Sequence, residues 1–276
     1  MRKEGLTTGL PVRLGVCIAV VLCCAAVRPA AAQECALPSR LAGAIPDSIP
    51  TPAPYATIRD QGIRFADLQL GLGHLRPTDS TWAWDWLSKI TLPLSDRPGT
   101  APWGWIAGGW TIDAQTADVT PFAVAGLLET GYEEASFIVL DTRVSGWIEI
   151  RVAPHSGRHR GTAWVPECAL RGESVDLTVE PWEARLLSDL ISPLYFRSKE
   201  PHVLREAPRL DGAPLGSISG SYHLEPQEIV GEWMRVIVKQ PSDYCAMDIE
   251  PTVREGWVKW KSPEKGPWVW YYSRGC

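Results

Sequence analysis

The sequence predicts a mainly β chain built as two small units in tandem, joined by a short helix and preceded by an irregular N-terminal extension. Three observations carry this expectation. Short apolar runs such as Phe137-Ile138-Val139-Leu140 and Val236-Ile237-Val238 are separated by turns rich in Gly, Pro and Ser. One stretch, Trp182 to Leu190, has the apolar spacing of a helix. Three blocks of the first half recur in the second half in the same order.

Composition sets the outer limits. The 276 residues are 45% apolar and 21% charged and include 14 Trp, which fits a globular chain of one large or two small domains. The 27 Lys and Arg are outnumbered by 32 Asp and Glu, for a net charge of −5. A polyanion would meet repulsion, so no nucleic acid is expected as a partner.

Residues 1–32 read as a secretory signal peptide. Arg2, Lys3 and Arg13 precede the apolar run from Leu14 to Val27, and Ala30-Ala31-Ala32 follows as a small-residue cleavage site. The run is shorter than the ~20 residues a membrane span needs, and no later stretch approaches that length. The expected product is secreted or periplasmic, cut near Ala32, with no membrane span after signal removal. Leu22, Cys23 and Glu34 stand before Cys23, Cys24 and Cys35, where lipid attachment would need a small residue. Cys35, Cys168, Cys245 and Cys276 remain past the signal. Four cysteines in an oxidising compartment read as two disulfides with three possible pairings. Cys35 with Cys168 and Cys245 with Cys276 is the expected pairing, since each bond then staples one half of the chain.

Along the chain, residues 33–80 form the lead. Pro38, Pro46, Pro50, Pro52 and Pro54 predict an extended, poorly packed strap over 33–57. Ile63, Phe65, Leu68, Leu70 and Leu72 then alternate as in a short β extension. Trp82, Trp84 and Trp86 are spaced by two, which in a strand projects three indoles from one face. Trp103 with Trp105 and Trp268 with Trp270 repeat the spacing. Such indoles either fill a small core, where their area offsets a shortage of other core residues, or form an exposed platform for a sugar or a proline. Strands are predicted over 136–140, 146–152, 229–230 and 233–238. The helix from Trp182 to Leu190 places Pro181 near its first turn and joins the two halves.

The repeat is readable residue by residue. Ala101-Pro102-Trp103-Gly104-Trp105-Ile106 matches Ala213-Pro214-Leu215-Gly216-Ser217-Ile218. Gly146-Trp147-Ile148-Glu149-Ile150 corresponds to Gly231-Glu232-Trp233-Met234-Arg235-Val236, and Thr162-Ala163-Trp164-Val165 to Glu255-Gly256-Trp257-Val258. In the second half Val203-Leu204-Arg205-Glu206-Ala207-Pro208 precedes these blocks.

This block order resembles the bacterial SH3-like (SH3b) domains, with the second half the better match. The resemblance implies two small SH3b-like barrels: one over 81–172 with an insertion, a linker and short helix over 173–190, and one over 191–276 with a C-terminal tail. The first half departs from the pattern by running 44 residues from Trp103 to Trp147, where the second needs 18 from Leu215 to Trp233. The extra 26 residues are expected to form a hairpin or lid. SH3b domains often recognise cell-wall peptides or glycans, so the resemblance implies a wall polymer or an envelope protein as partner.

Candidate sites are few. No Gly-x-Ser-x-Gly elbow or His-Glu-x-x-His helix occurs, and no catalytic residue is assigned. Nothing calls for a cofactor. Arg158, His159 and Arg160 concentrate positive charge in an acidic chain, as an anion site or as a solvated hairpin tip. His155 and His159 have a metal-like spacing, but the adjacent arginines would repel a cation, and no metal is assigned. Trp260, between Lys259 and Lys261, and Trp268 and Trp270 close the chain as cations among aromatics. The candidate ligand residues are thus Trp82, Trp84, Trp103, Trp105, Arg158, His159, Arg160, Trp260, Trp268 and Trp270. They point to a non-catalytic exported binding or scaffolding protein. A divergent hydrolase or an inhibitor in the first half, with the second half as its targeting module, is the other reading.

Overall fold

The computed structural model describes residues 35–47, 68–82, 85–121, 127–131, 134–143, 145–152, 161–188, 194–219, 222–239 and 252–271. Residues 1–34, Trp84, Arg158, His159, Arg160, Cys245 and Cys276 lie outside them.

The first half opens on a short helix, α1 (Ser39–Ala42), followed by β1 (Gly73–Pro77), β2 (Thr91–Leu94), β3 (Gly104–Ala107), β4 (Trp110–Asp113) and β5 (Val119–Pro121). It continues with β6 (Leu127–Gly131), β7 (Glu134–Arg143), β8 (Trp147–Arg151), β9 (Thr162–Pro166) and β10 (Leu177–Pro181). After α2 (Trp182–Leu186) come β11 (Leu194–Phe196), β12 (His202–Arg205), β13 (Pro214–Ile218), β14 (His223–Val230) and β15 (Trp233–Lys239). The chain ends on β16 (Thr252–Lys259), β17 (Lys261–Ser262), β18 (Gly266–Pro267) and β19 (Val269–Tyr271). The protein is mainly β, and none of its sheets closes into a barrel among the described residues.

The two halves share one strand order. In the second, a seven-stranded sheet runs β13-β12-β16-β15-β14-β11-β19. In the first, β3 pairs β2, and β9-β8-β7-β1-β10 form a continuous path. These pieces meet where Ser95, just past β2, bridges Trp164 of β9. The register agrees residue by residue: Leu94 faces Gly104 as Leu204 faces Gly216, and Trp164 faces Glu149 as Trp257 faces Arg235. Even the bulge recurs, since register shifts at Leu140 between Val139 and Asp141, and at Gln227 between Pro226 and Glu228. The three sequence blocks therefore occupy matching places in space.

Alternation explains why these strands form. Ile148 and Ile150 on β8, and Met234, Val236 and Val238 on β15, are buried, while their neighbours are not. Gly146 (φ +77°) and Gly231 (φ +58°) supply the left-handed backbone of the turns before Trp147 and Trp233. The insertion of the first half continues its sheet: β4 adds to the outer edge of β3, and β5 to β4. β6 pairs with β7 instead.

Three cores result. One fills the first unit around Leu75, Leu94, Phe137, Ile148 and Val165. A second combines Leu194, Leu204, Leu224, Met234 and Val258 with Leu70, Ile138, Trp182 and Leu186 of the first half, so the units share apolar packing. A small third core sits under the insertion, where Leu41 of α1 meets Trp105, Ala107 and Ile112.

Several local expectations change. The lead is not wholly extended: Pro38 starts α1, and Leu41 is completely buried because the insertion offers it an apolar socket. Trp86 lies in no strand but opens a 3-10 turn over Trp86–Ser88, across which Lys89 pairs with Asp85 at 2.8 Å. The helix predicted to Leu190 covers Trp182–Leu186, turns through Ser188, and leaves the described residues there.

Cys35 and Cys168 are bonded, with Cα atoms 6.2 Å apart across a separation of 133 residues. The bond pins the start of the lead to the 3-10 turn after β9 (Glu167–Leu170). No helix among the described residues is long and apolar enough to cross a membrane.

Candidate functional site

Most of the predicted indoles lie inside the protein. Trp103 packs in the core of the first unit, Trp105 under the insertion, and Trp260 and Trp270 in the shared core. Trp82 is 39% exposed after the β1 turn, and Trp268 is half-buried between β18 and β19. Trp84, Arg158, His159 and Arg160 lie outside the described residues. The predicted residues thus do not gather into one patch. Trp268 remains as the half-exposed ring beside other aromatic and charged groups.

That ring belongs to a row on the second unit. Phe196 of β11 stacks on His202 of β12 with ring centroids 3.6 Å apart and planes 5° apart. His202 in turn lies 6.0 Å from Trp268, tilted by 45°. Lys259 of β16 places its Nζ 5.6 Å from the Trp268 ring centroid and 2.8 Å from Glu232 Oε2. Neighbouring Lys261 sits 4.9 Å over Trp260 and pairs with Glu183. Burial holds the His202 pKa below its usual value despite the opposing charge of Glu200, so its ring is neutral at pH 7. Neutrality suits a ring stacked face to face on Phe196.

The row is held from beneath by backbone contacts. Trp268 N donates to Trp260 O at 2.6 Å, and Arg197 N donates to Trp268 O at 2.8 Å. The Arg197 guanidinium reaches the carbonyls of Pro267 and Leu68 at 2.5 and 2.6 Å, tying the row to the first half. A fixed, half-open indole with a cation over its face can stack on the C–H face of a sugar or on a proline ring. It holds no nucleophile paired with a base.

A second concentration of chemistry lies where the units join. His74 of β1 and Glu180 of β10 face each other across the strand pair, with Nε2 2.6 Å from Oε2. Arg76 Nη1 reaches the other carboxylate oxygen at 3.3 Å, and Arg185 Nη1 of α2 stands 4.0 Å from Oε2. Arg185 also donates from Nε to Thr130 O at 2.7 Å and from Nη2 to Glu134 at 3.0 Å. His74 stacks on Trp182 at 5.1 Å, and Trp182 meets Trp270 edge to face at 5.0 Å.

Burial dominates the His74 pKa and lowers it, over the opposing pull of Glu180. The neutral ring therefore donates Nε2–H to the carboxylate, which leaves the buried Nδ1 as an acceptor without a partner. Burial alone would raise the Glu180 pKa, but the His74 bond and the charges of Arg76 and Arg185 outweigh it and hold it low. Burial raises the Tyr271 phenol. His74 is buried and Glu180 and Arg185 are largely so, and the arrangement works as a polar brace that ties β1, β10 and α2 together, while Trp182 carries the contact on to Trp270 of the second unit. No three His, Cys, Asp or Glu among the described residues gather as metal ligands.

Sequence reading did not find His74, Glu180 and Arg185, because His74 stands 106 positions before Glu180. The one local signal is the alternation of His74 and Arg76 around the buried Leu75. No family model matches the chain, and no curated protein is significantly similar to it.

Proposed function

We propose that this chain is an exported, non-catalytic binding or scaffolding protein whose two SH3b-like units contact the cell envelope through a wall peptide or glycan or through an envelope protein. The observation that carries this reading is the repeat of strand order, register and bulge between the halves, at the places of the three sequence blocks that resemble SH3b domains. Function then follows by analogy with such domains, which bind rather than react. The Cys35–Cys168 bond is consistent with an extracellular location, as the N-terminal leader pattern suggests. The Trp268 row is the ligand face the geometry favours, because its indole is partly open and bordered by charge.

Co-sedimentation of the oxidised protein with purified peptidoglycan sacculi, across a salt series, tests this reading. The expected result is pelleting that salt does not abolish, reduced severalfold by Trp268→Ala. Release by salt instead would move the site from the aromatic row to charged groups. Protein that stays in solution throughout rejects wall binding and leaves an envelope protein as the partner.

A further inference from the structure

The two halves differ most at one edge. In the first unit the outer edge of β3 is filled by the chain's own β4, with Gly104 opposite Asp113, Trp105 opposite Ile112 and Ile106 opposite Thr111. Every residue of β3 is buried. The matching strand of the second unit is β13, in which Gly216, Ser217 and Ile218 stand for Gly104, Trp105 and Ile106. Among the described residues β13 pairs with β12 alone, and Pro214, Gly216 and Ser217 are exposed. An edge strand directs every second N–H and C=O away from its sheet, so β13 presents the ladder groups that β4 satisfies in the first unit.

A charge marks the same place. Arg254 of β16 is exposed, and its guanidinium lies so close to Gly216 that a Cβ there would meet Nη1 at 2.9 Å. The first unit has Gly161 at the position of Arg254, because Gly161 bonds to Val152 as Arg254 pairs with Val238. Among the described residues, the half that fills its own edge thus has glycine where the half with the open edge carries the cation. In a β pair, directly opposed residues share a face, so a residue opposite Gly216 would project beside Arg254.

We propose that β13 is a docking edge for an extended segment of a partner protein, which adds antiparallel to Gly216–Ile218 in the manner of β4 and places a carboxylate opposite Gly216 against Arg254. Main-chain hydrogen bonds supply the affinity and the Arg254 pair sets the register. The ladder calls for a run of residues of one chirality in extended backbone, which a protein segment supplies. This edge borders the Trp268 row at His202, which pairs with Ile218, but its outward ladder groups take no part in the stacking, so the peptide test and the sacculus test fail independently.

The test uses the oxidised protein and a capped peptide with the β4 sequence Gly-Trp-Thr-Ile-Asp-Ala, which fits the matching edge in the first unit. Its Asp→Asn analogue and a version N-methylated on its ladder-facing amides serve as controls. Hydrogen exchange and calorimetric titration are the readouts. The expected result is slowed exchange over 214–219 on adding peptide, binding weakened about three- to fivefold by the Asn analogue, as for an exposed ion pair, and loss of binding with the N-methylated peptide. Arg254→Gln weakens binding by the same factor and removes the difference between Asp and Asn peptides. Equal binding of the N-methylated peptide, or no protection of 214–219 at millimolar peptide, overturns the proposal. Protection of 214–219 that grows with protein concentration in a sedimenting dimer also overturns it, since the occupant is then a second copy.

Discussion

Trp164 and Trp257 hold the same place in the two halves of the chain. Each lies opposite the residue that follows a buried leucine of the second strand of its unit: Trp164 across from Ser95, after Leu94, and Trp257 across from Arg205, after Leu204. In both units this contact joins the pair of strands that opens the repeat (β2–β3, β12–β13) to the meander that follows (β7-β8-β9, β14-β15-β16), so the leucine beneath it seals a junction between two sheet pieces. Leu94→Ala and Leu204→Ala should each cost about 2–5 kcal/mol, as for buried leucines elsewhere. Urea unfolding of the two variants checks this, and a neutral effect at either position would break the equivalence of the halves.

The turn glycines separate two sources of strain. Gly231 has φ +58° with open space around its missing side chain, whereas Gly266, at φ +76°, has the backbone of Gly71 where a Cβ would stand. Gly231→Ala should therefore cost about 1 kcal/mol, from the left-handed backbone alone. Gly266→Ala should cost more, because it also pushes apart the contact in which Leu70 N donates to Lys265 O at 2.8 Å. Comparing the two in thermal melts tests the ordering, and equal losses would contradict it.

How far the chain could be read from its sequence depends on the separation of the partners. The blocks around Gly104, Trp147 and Trp164 were legible because turn glycines and alternating apolar residues act within a few positions. Spacing by two, as in Trp82, Trp84 and Trp86, has meaning only inside a strand, and Trp86 instead opens a 3-10 turn flanked by the Asp85–Lys89 pair. Leu41 looked like part of a proline-rich strap because its socket is made by Trp105 and Ile112, more than 60 positions on. The His74–Glu180 contact spans 106 residues, and Arg254 acquires meaning only once Gly216 lies beside it. Open and filled edges of β13 and β3 are likewise a property of the sheet.

The oxidised Cys35–Cys168 pair closes a long loop, so its removal should cost about 4–5 kcal/mol in the chain-entropy model. The double variant Cys35→Ser/Cys168→Ser isolates that bond. Its urea midpoint should fall well below that of the parent, and the lead carrying Leu41 should exchange faster. An unchanged midpoint would mean that the bond restrains little of the unfolded chain.

The His74–Glu180 brace makes the protein sensitive to mild acid. His74 is buried against Glu180 Oε2, with Arg185 near the same oxygen, Arg76 on the other oxygen and Trp182 over the ring. Its pKa in the folded state lies below the ordinary 6.5, so on acidification the unfolded chain takes up the proton first. The stability it contributes is complete above about pH 6.5 and is lost as the pH falls towards the folded-state value. His202, lowered by burial in the same direction, adds to the loss over the same window. Glu180 extends it below pH 4.5, where protonating the carboxylate breaks its bonds to Arg76 and His74. His74→Gln keeps a donor for Glu180 but cannot titrate. Its urea midpoint should therefore fall less steeply between pH 6.5 and 5 than that of the parent, with His202 left as the remaining slope. Parallel profiles for parent and variant would remove His74 as a source of the acid sensitivity.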